Sequence, residues 1–314
     1  MPEDLARAVR TVVNDCLAVR AGEEVVVVGD ASTADIAVAL RDEAERAGAD
    51  ATLLLVTARE VDGEEPSGAV AAALAAADVF IAPTSWSISH TQARKRASDA
   101  GARGATMPHV TADILGRLMT ADLGLVRERS RRVTELLTAA AEAHVTCPLG
   151  TDLRLALDGR TALPDDGDLT APASFGNLPC GEGFISPAAG EGVLHASSLA
   201  AIGLADPPAR LTVTGGRLAA AEGVAGTRLL ERLQAAGELG TNLAELGVGT
   251  NERATLTGNV LEDEKMLGTV HIAFGASAGI GGTVTVPVHL DVVVVDPTLT
   301  VDGTTVIDAG RFSL

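Results

Sequence analysis

Residues 283–295 read TVTVPVHLDVVVV. β-Branched side chains crowd this run and no helical period is present, so it reads as a strand. Residues two apart in a strand point to the same face. His289 and Asp291 therefore aim an imidazole and a carboxylate at one point from a stiff element. Stiffness matters because a metal site tolerates little error in ligand position. Pro287 has no N–H to offer a ladder, so an edge strand or a bulge is expected just before the pair.

Working outward, GTVHIAFG (268–275) is a second short apolar run, closed by glycine at both ends, and it carries His271. A neighbouring strand would bring His271 beside His289. Two imidazoles and a carboxylate suit Zn, Co, Mn or ferrous iron. Glu245 in AELGVGTN (244–251) and Glu182 in NLPCGEGF (177–184) are the further acids expected to join them, enough for a second ion beside the first. H-x-D is a short, common pattern, and a buried His–Asp pair also serves as a structural ion pair. Spacing alone leaves both readings open. The chain has neither an HExxH helix nor a CxxC pair.

At these residues the sequence resembles the M29 metallo-aminopeptidases of the aminopeptidase T or S type, which are leucyl aminopeptidase-like. The likeness is carried by ELGVGTN, by the nineteen-residue run TGNVLEDEKMLGTVHIAFG (257–275), by HLD, by NLPCGEGF, and by IAPTSWSISHTQARKRASDAGARGATMPHVT (81–111). It spans most of the chain in order. The resemblance implies Glu182, Glu245, His271, His289 and Asp291 as ligands of one or two divalent ions, in a homodimer that removes N-terminal residues from peptides; in such a site one of the two glutamates, Glu182 ahead of Glu245, is expected to shuttle a proton as well. One feature departs from that family. Its members carry a functional tyrosine shortly after the first histidine, and this chain contains no tyrosine. The phenol that would donate to a developing oxyanion is missing. A ring-opening dioxygenase for dihydroxypyridine resembles the same family and uses one ferrous ion on two histidines and an aspartate. His271, His289 and Asp291 would supply that set, with Glu182 and Glu245 orienting or deprotonating an aromatic diol. The expectation is a metallo-aminopeptidase, with the dioxygenase as its alternative.

At 314 residues the chain can bury the cores of two domains, expected at 1–143 and 144–314. No apolar run is long enough to span a bilayer, and MPEDLARAVR (1–10) has no secretion-signal core, so the expected location is the cytoplasm. Cys16, Cys147 and Cys180 are too few for a disulfide framework. A net charge of −18 argues against a nucleic-acid partner. It is either a solvated surface or a field that draws a cationic peptide end inward.

The N-terminal part alternates helices and apolar strands, with helices over 3–20, 33–47, 67–77 and 89–101 and strands over 25–28, 51–56, 79–82 and 102–106. This pattern predicts an α/β domain with a mainly parallel, Rossmann-like sheet. VVVVGDAST (25–33) lacks a nucleotide-loop spacing. Trp86, Ser87, Ser89 and His90 follow a strand's carboxyl end, where they either touch substrate or start and cap the next helix. A helix is expected over 123–143. After it come a hairpin near Asp158–Gly159, a loop over 163–174, and hairpins at Gly215–Gly216 and Asp302–Gly303, with a helix over 225–236. The second domain is thus β-rich α+β and carries the metal site. Cys180 lacks a thiol-activating setting, and His195 is a packed or supporting residue. Glu262, Asp263, Glu264 and Lys265 form a charge run that reads as an exposed turn or the start of a helix, close enough to His271 to touch substrate.

Overall fold

The computed structural model describes residues 2–314 and divides into two compact units. One comprises the chain up to Leu123 together with Gly167–Cys180; the other comprises Gly124–Asp166 and Gly181–Leu314. The boundary expected at 143/144 lies within the second of these.

The first unit is the expected parallel sheet. Strands β1 (Glu24–Asp30), β2 (Asp50–Val56), β3 (Val79–Thr84) and β4 (Arg103–Pro108) lie in the order β2-β1-β3-β4, and a short strand, Phe175–Asn177, adds to β4. Central strands of such a sheet are covered on both faces and read as unbroken apolar runs. Val25, Val27, Val79 and Ile81 are accordingly fully buried. Two element boundaries depart from the sequence reading. The first helix gives way after Arg10 to a wider turn over Thr11–Cys16. The helix after Trp86 begins at Gln92, because Thr91, not Ser87 or Ser89, accepts the capping bond from the Arg94 N–H.

In the second unit four antiparallel neighbours form the working part of one large sheet: β5 (Glu182–Ile185), β6 (Leu243–Gly249), β7 (Val270–Gly275) and β8 (His289–Val294). Alternation divides their two faces. Leu246, Val248, Ile272, Phe274, Val292 and Val294 join the main core, each fully buried apolar side chain contributing about 1.5–3 kcal/mol. The other face carries the candidate site. β8 is not an edge strand: it pairs with β7 on one side and with Ala189–Leu199 on the other, and Pro287 lies before its first residue.

Hairpins at Gly215–Gly216 and Asp302–Gly303 and a helix over Gly223–Ala235 match expectation. Elsewhere the chain differs. The long helix stops at Ala139, because the Asp302 carboxylate takes the N–H groups of Ala141 and Glu142 and starts the strand Glu142–Thr146. That strand pairs with Asp152–Ala156 around a turn at 147–151, so Asp158–Gly159 is not the hairpin turn. Leu163–Asp165, read as loop, is a short strand on β5 that sets Asp165 opposite Glu182. Among the described residues no helix is long and apolar enough to cross a membrane.

Candidate functional site

Ladder register builds the site. Gly249 faces Glu182, Gly247 faces His271, Ala273 faces Glu245 and Asp291, and Gly275 faces His289. Facing residues project from the same side of a sheet. Glu182, Glu245, His271, His289 and Asp291 therefore emerge on one face of four adjacent strands. The positions between them are glycine or alanine, which leaves the long side chains room. At Gly247 the space is already taken: a Cβ there would lie 1.9 Å from His271 Nε2. A bulge between Leu243 and Glu245 adjusts the last approach of β6.

The donor atoms meet. His271 Nε2 lies 3.1 Å from Glu182 Oε2 and 3.2 Å from Glu245 Oε1. His289 Nε2 lies 3.3 Å from Glu245 Oε2 and 3.6 Å from Asp291 Oδ1. His289 Nδ1 donates to the Ala276 carbonyl at 2.7 Å, which orients the ring and turns Nε2 toward the acids. Two donor groups result, Glu182–Glu245–His271 and Glu245–His289–Asp291, each within 4.8 Å and joined through Glu245. The first is buried; His289 and Asp291 are each 13% exposed and form its open side.

Electrostatics favour a cation. Burial pushes the Asp165 carboxyl up to about 7 and that of Glu264 up to about 8, with Lys265 opposing and Glu182 adding to the shift. Burial would also raise Glu182 and Glu245, but Lys265 and His271 hold the first below the usual range, and His271 and His289 hold the second well below it. Burial disfavours charge on both imidazoles, yet the surrounding acids push both well above the ordinary range. His271 Nδ1 is buried without a hydrogen-bond partner, and Glu182 Oε2 is buried against His271 Nε2. Nitrogen and oxygen donors, an orienting partner on His289 and an excess of acid suit a divalent ion. The residues present fit such a group.

Sequence reading missed part of this arrangement. Glu262–Lys265 is not exposed: a short helix, Val260–Asp263, ends within this run and all four residues are buried. Asp263 holds the Thr257 and Gly258 N–H groups at 2.7 and 2.9 Å, and Glu262 holds that of Thr255 at 2.7 Å. Lys265 Nζ sits among Glu182, Glu264 and Asp165. Its rarity was the available signal, since the chain has one other lysine, Lys95. Cys180 belongs to the first unit, and His195 stands on Ala189–Leu199 outside the donor groups.

Ser87 and His90 also belong to the first unit. Ser87 Oγ donates to Ser89 Oγ at 2.8 Å, and Ser89 bonds Thr106 at 2.7 Å, while His90 is exposed. Ser87→Ala is expected to lower unfolding free energy by about 1 kcal/mol in a denaturant titration, with kcat/KM unchanged. A fall in kcat/KM at unchanged stability would make Ser87 a substrate contact instead.

Two solved structures share the fold. A 2,5-dihydroxypyridine dioxygenase from Pseudomonas putida superposes with a TM-score of 0.84 at 18% identity, covering 100% of this chain and 98% of its own. Wild-type AmpT from Thermus thermophilus, an M29 aminopeptidase, superposes with a TM-score of 0.75 at 18% identity, with 99% of each chain covered. No curated protein matches the chain in sequence. The expected metallo-aminopeptidase, and with it membership of the M29 proteases, is corrected by a family match over residues 4–314 that points to a dioxygenase. The chemistry agrees, for a chain without tyrosine lacks the peptidase phenol. By that match, which takes in nearly every residue, the chain belongs to the NicX family of 2,5-dihydroxypyridine 5,6-dioxygenases.

Proposed function

We propose that this protein is a ferrous-iron dioxygenase that opens the ring of a dihydroxypyridine or a closely related aromatic diol. One observation carries the reading: His271, His289 and Asp291 share one sheet face, in register, in a chain of this family. Two imidazoles and one carboxylate leave coordination positions open, the arrangement suited to non-haem ferrous oxygenases. Bound there, the iron would supply the one-electron chemistry that dioxygen requires.

The protein's own groups do the rest. His289 is fixed by its Nδ1 donation to Ala276. Glu245, between the imidazoles, holds them in place. Glu182 Oε2, buried beside His271 Nε2, is the atom placed to take a ring-hydroxyl proton as the diol binds. The far face of the same strands packs into the apolar core, which holds the site's side chains on a stiff base.

Chelation is expected to abolish ring opening. Ferrous ion loaded anaerobically should restore it once oxygen is admitted, whereas Zn should bind and leave the protein inactive. Oxygen uptake with 2,5-dihydroxypyridine, together with metal analysis of the purified protein, tests both points. A zinc-loaded chain that turns over at the iron-loaded rate, or an iron-loaded chain that consumes no oxygen with any dihydroxypyridine, would refute the proposal.

A further inference from the structure

We propose that Lys265 is a built-in cation that limits the centre to a single metal ion. This inference rests on the ferrous reading and supplies a structural cause for its one ion. The sheet face carries donors for more than one ion. Its two donor groups share Glu245, and a carboxylate shared in this way is how paired divalent ions are commonly held. Lys265 makes the two groups unequal.

The Lys265 side chain is fully buried. Its Nζ lies 2.5 Å from Glu182 Oε1, 2.9 Å from Glu264 Oε1 and 3.1 Å from Asp165 Oδ2. An ammonium has three N–H donors, and here three carboxylates stand within reach of them. Glu182 is thereby divided between two partners, Oε1 toward the ammonium and Oε2 toward His271 Nε2. A dication in the Glu182–Glu245–His271 group would compete for a carboxylate already held by Lys265. It would also face that fixed positive charge across a single carboxylate, in buried surroundings where like charges repel strongly. One ion on His271, His289 and Asp291 leaves Glu182 with the ammonium. The three acids around Nζ are then neither vacant nor in need of a second metal.

The test counts ions rather than turnover. Metal-stripped full-length chain is titrated with Mn(II) in a calorimeter, and bound metal is measured after gel filtration. Wild type is expected to take one ion per chain. Lys265→Met, which keeps the length and removes the charge, is expected to take two, with the second equivalent raising its melting temperature. Lys265→Arg, which keeps the charge, should take one. A wild type that binds two ions, or a folded Lys265→Met that still binds one, overturns the proposal. Lys265→Gln replaces Lys265→Met if the latter does not fold. Failure of both to fold even in excess Mn(II) also overturns it, because the ion then does not stand in for the ammonium. A wild type that binds no ion at all sinks the ferrous reading as well, which sets the two failures apart.

Discussion

Asp291→Ala is expected to reduce ring opening to about one-thousandth of wild type or less, with iron lost from the purified protein. A bound metal ion contributes several kcal/mol of charge stabilisation, and each 1.36 kcal/mol is a factor of ten in rate. Asp291 is the carboxylate beside His289 on the same strand face, 3.6 Å from its Nε2. Its removal also leaves the open side of the site with one ligand fewer. His289→Ala should behave alike, and both variants should remain folded, since each residue retains some exposure. Circular dichroism and metal analysis separate loss of the ion from loss of the fold. A folded Asp291→Ala chain that retains stoichiometric iron and full turnover would show that the ion is held elsewhere.

Gly247→Ala, a change of one methyl group, is expected to disable the protein almost as thoroughly. The added Cβ would lie 1.9 Å from His271 Nε2 and 2.1 Å from its Cε1. His271 is fully buried, so its ring has little room to retreat. Overpacking of this kind costs about 1–3 kcal/mol. A displaced ligand ring should weaken metal binding by about 10–100-fold or more. Gly279→Ala is the control, because nothing lies within 4 Å of a Cβ at that position. Melting temperature and metal affinity should both fall in Gly247→Ala and hold steady in Gly279→Ala. Equal behaviour of the two would mean that the His271 ring moves freely.

How much of this was legible beforehand depended on the range of the interaction. Alternation along a strand is local, so the shared face of His289 and Asp291 could be read directly from H-x-D. The parallel sheet was legible for the same reason: Val25–Val28 and Val79–Ala82 are apolar throughout because both faces are covered. His271 could be set beside that pair from its own strand-like run, but the place of Glu182 and Glu245 rested on resemblance, since no periodicity relates residues on strands so distant in sequence. The burial of Lys265 left no trace in its local pattern, only in the rarity of lysine in the chain. Its surroundings in sequence, EDEK, are those of a solvated turn. Only Asp165, from a segment that looked like loop, and Glu182 show why the ammonium is inside. The candidate ligand residues fit both a hydrolase and an oxygenase, so they do not separate the two activities. The feature of the sequence that separates them is the absent tyrosine.

The interleaving of the four strands has a consequence for biosynthesis. Glu182, Glu245, His271 and the His289–Asp291 pair leave the ribosome in that order, and only the last two are close neighbours along the chain. A growing polypeptide thus offers an ion nothing better than isolated side chains until β8 has emerged and paired with β7. Metal loading is therefore expected to be a late event, performed by a finished sheet rather than a nucleus around which the chain condenses. Expression in iron-starved cells should accordingly yield folded, empty protein that can be charged afterwards.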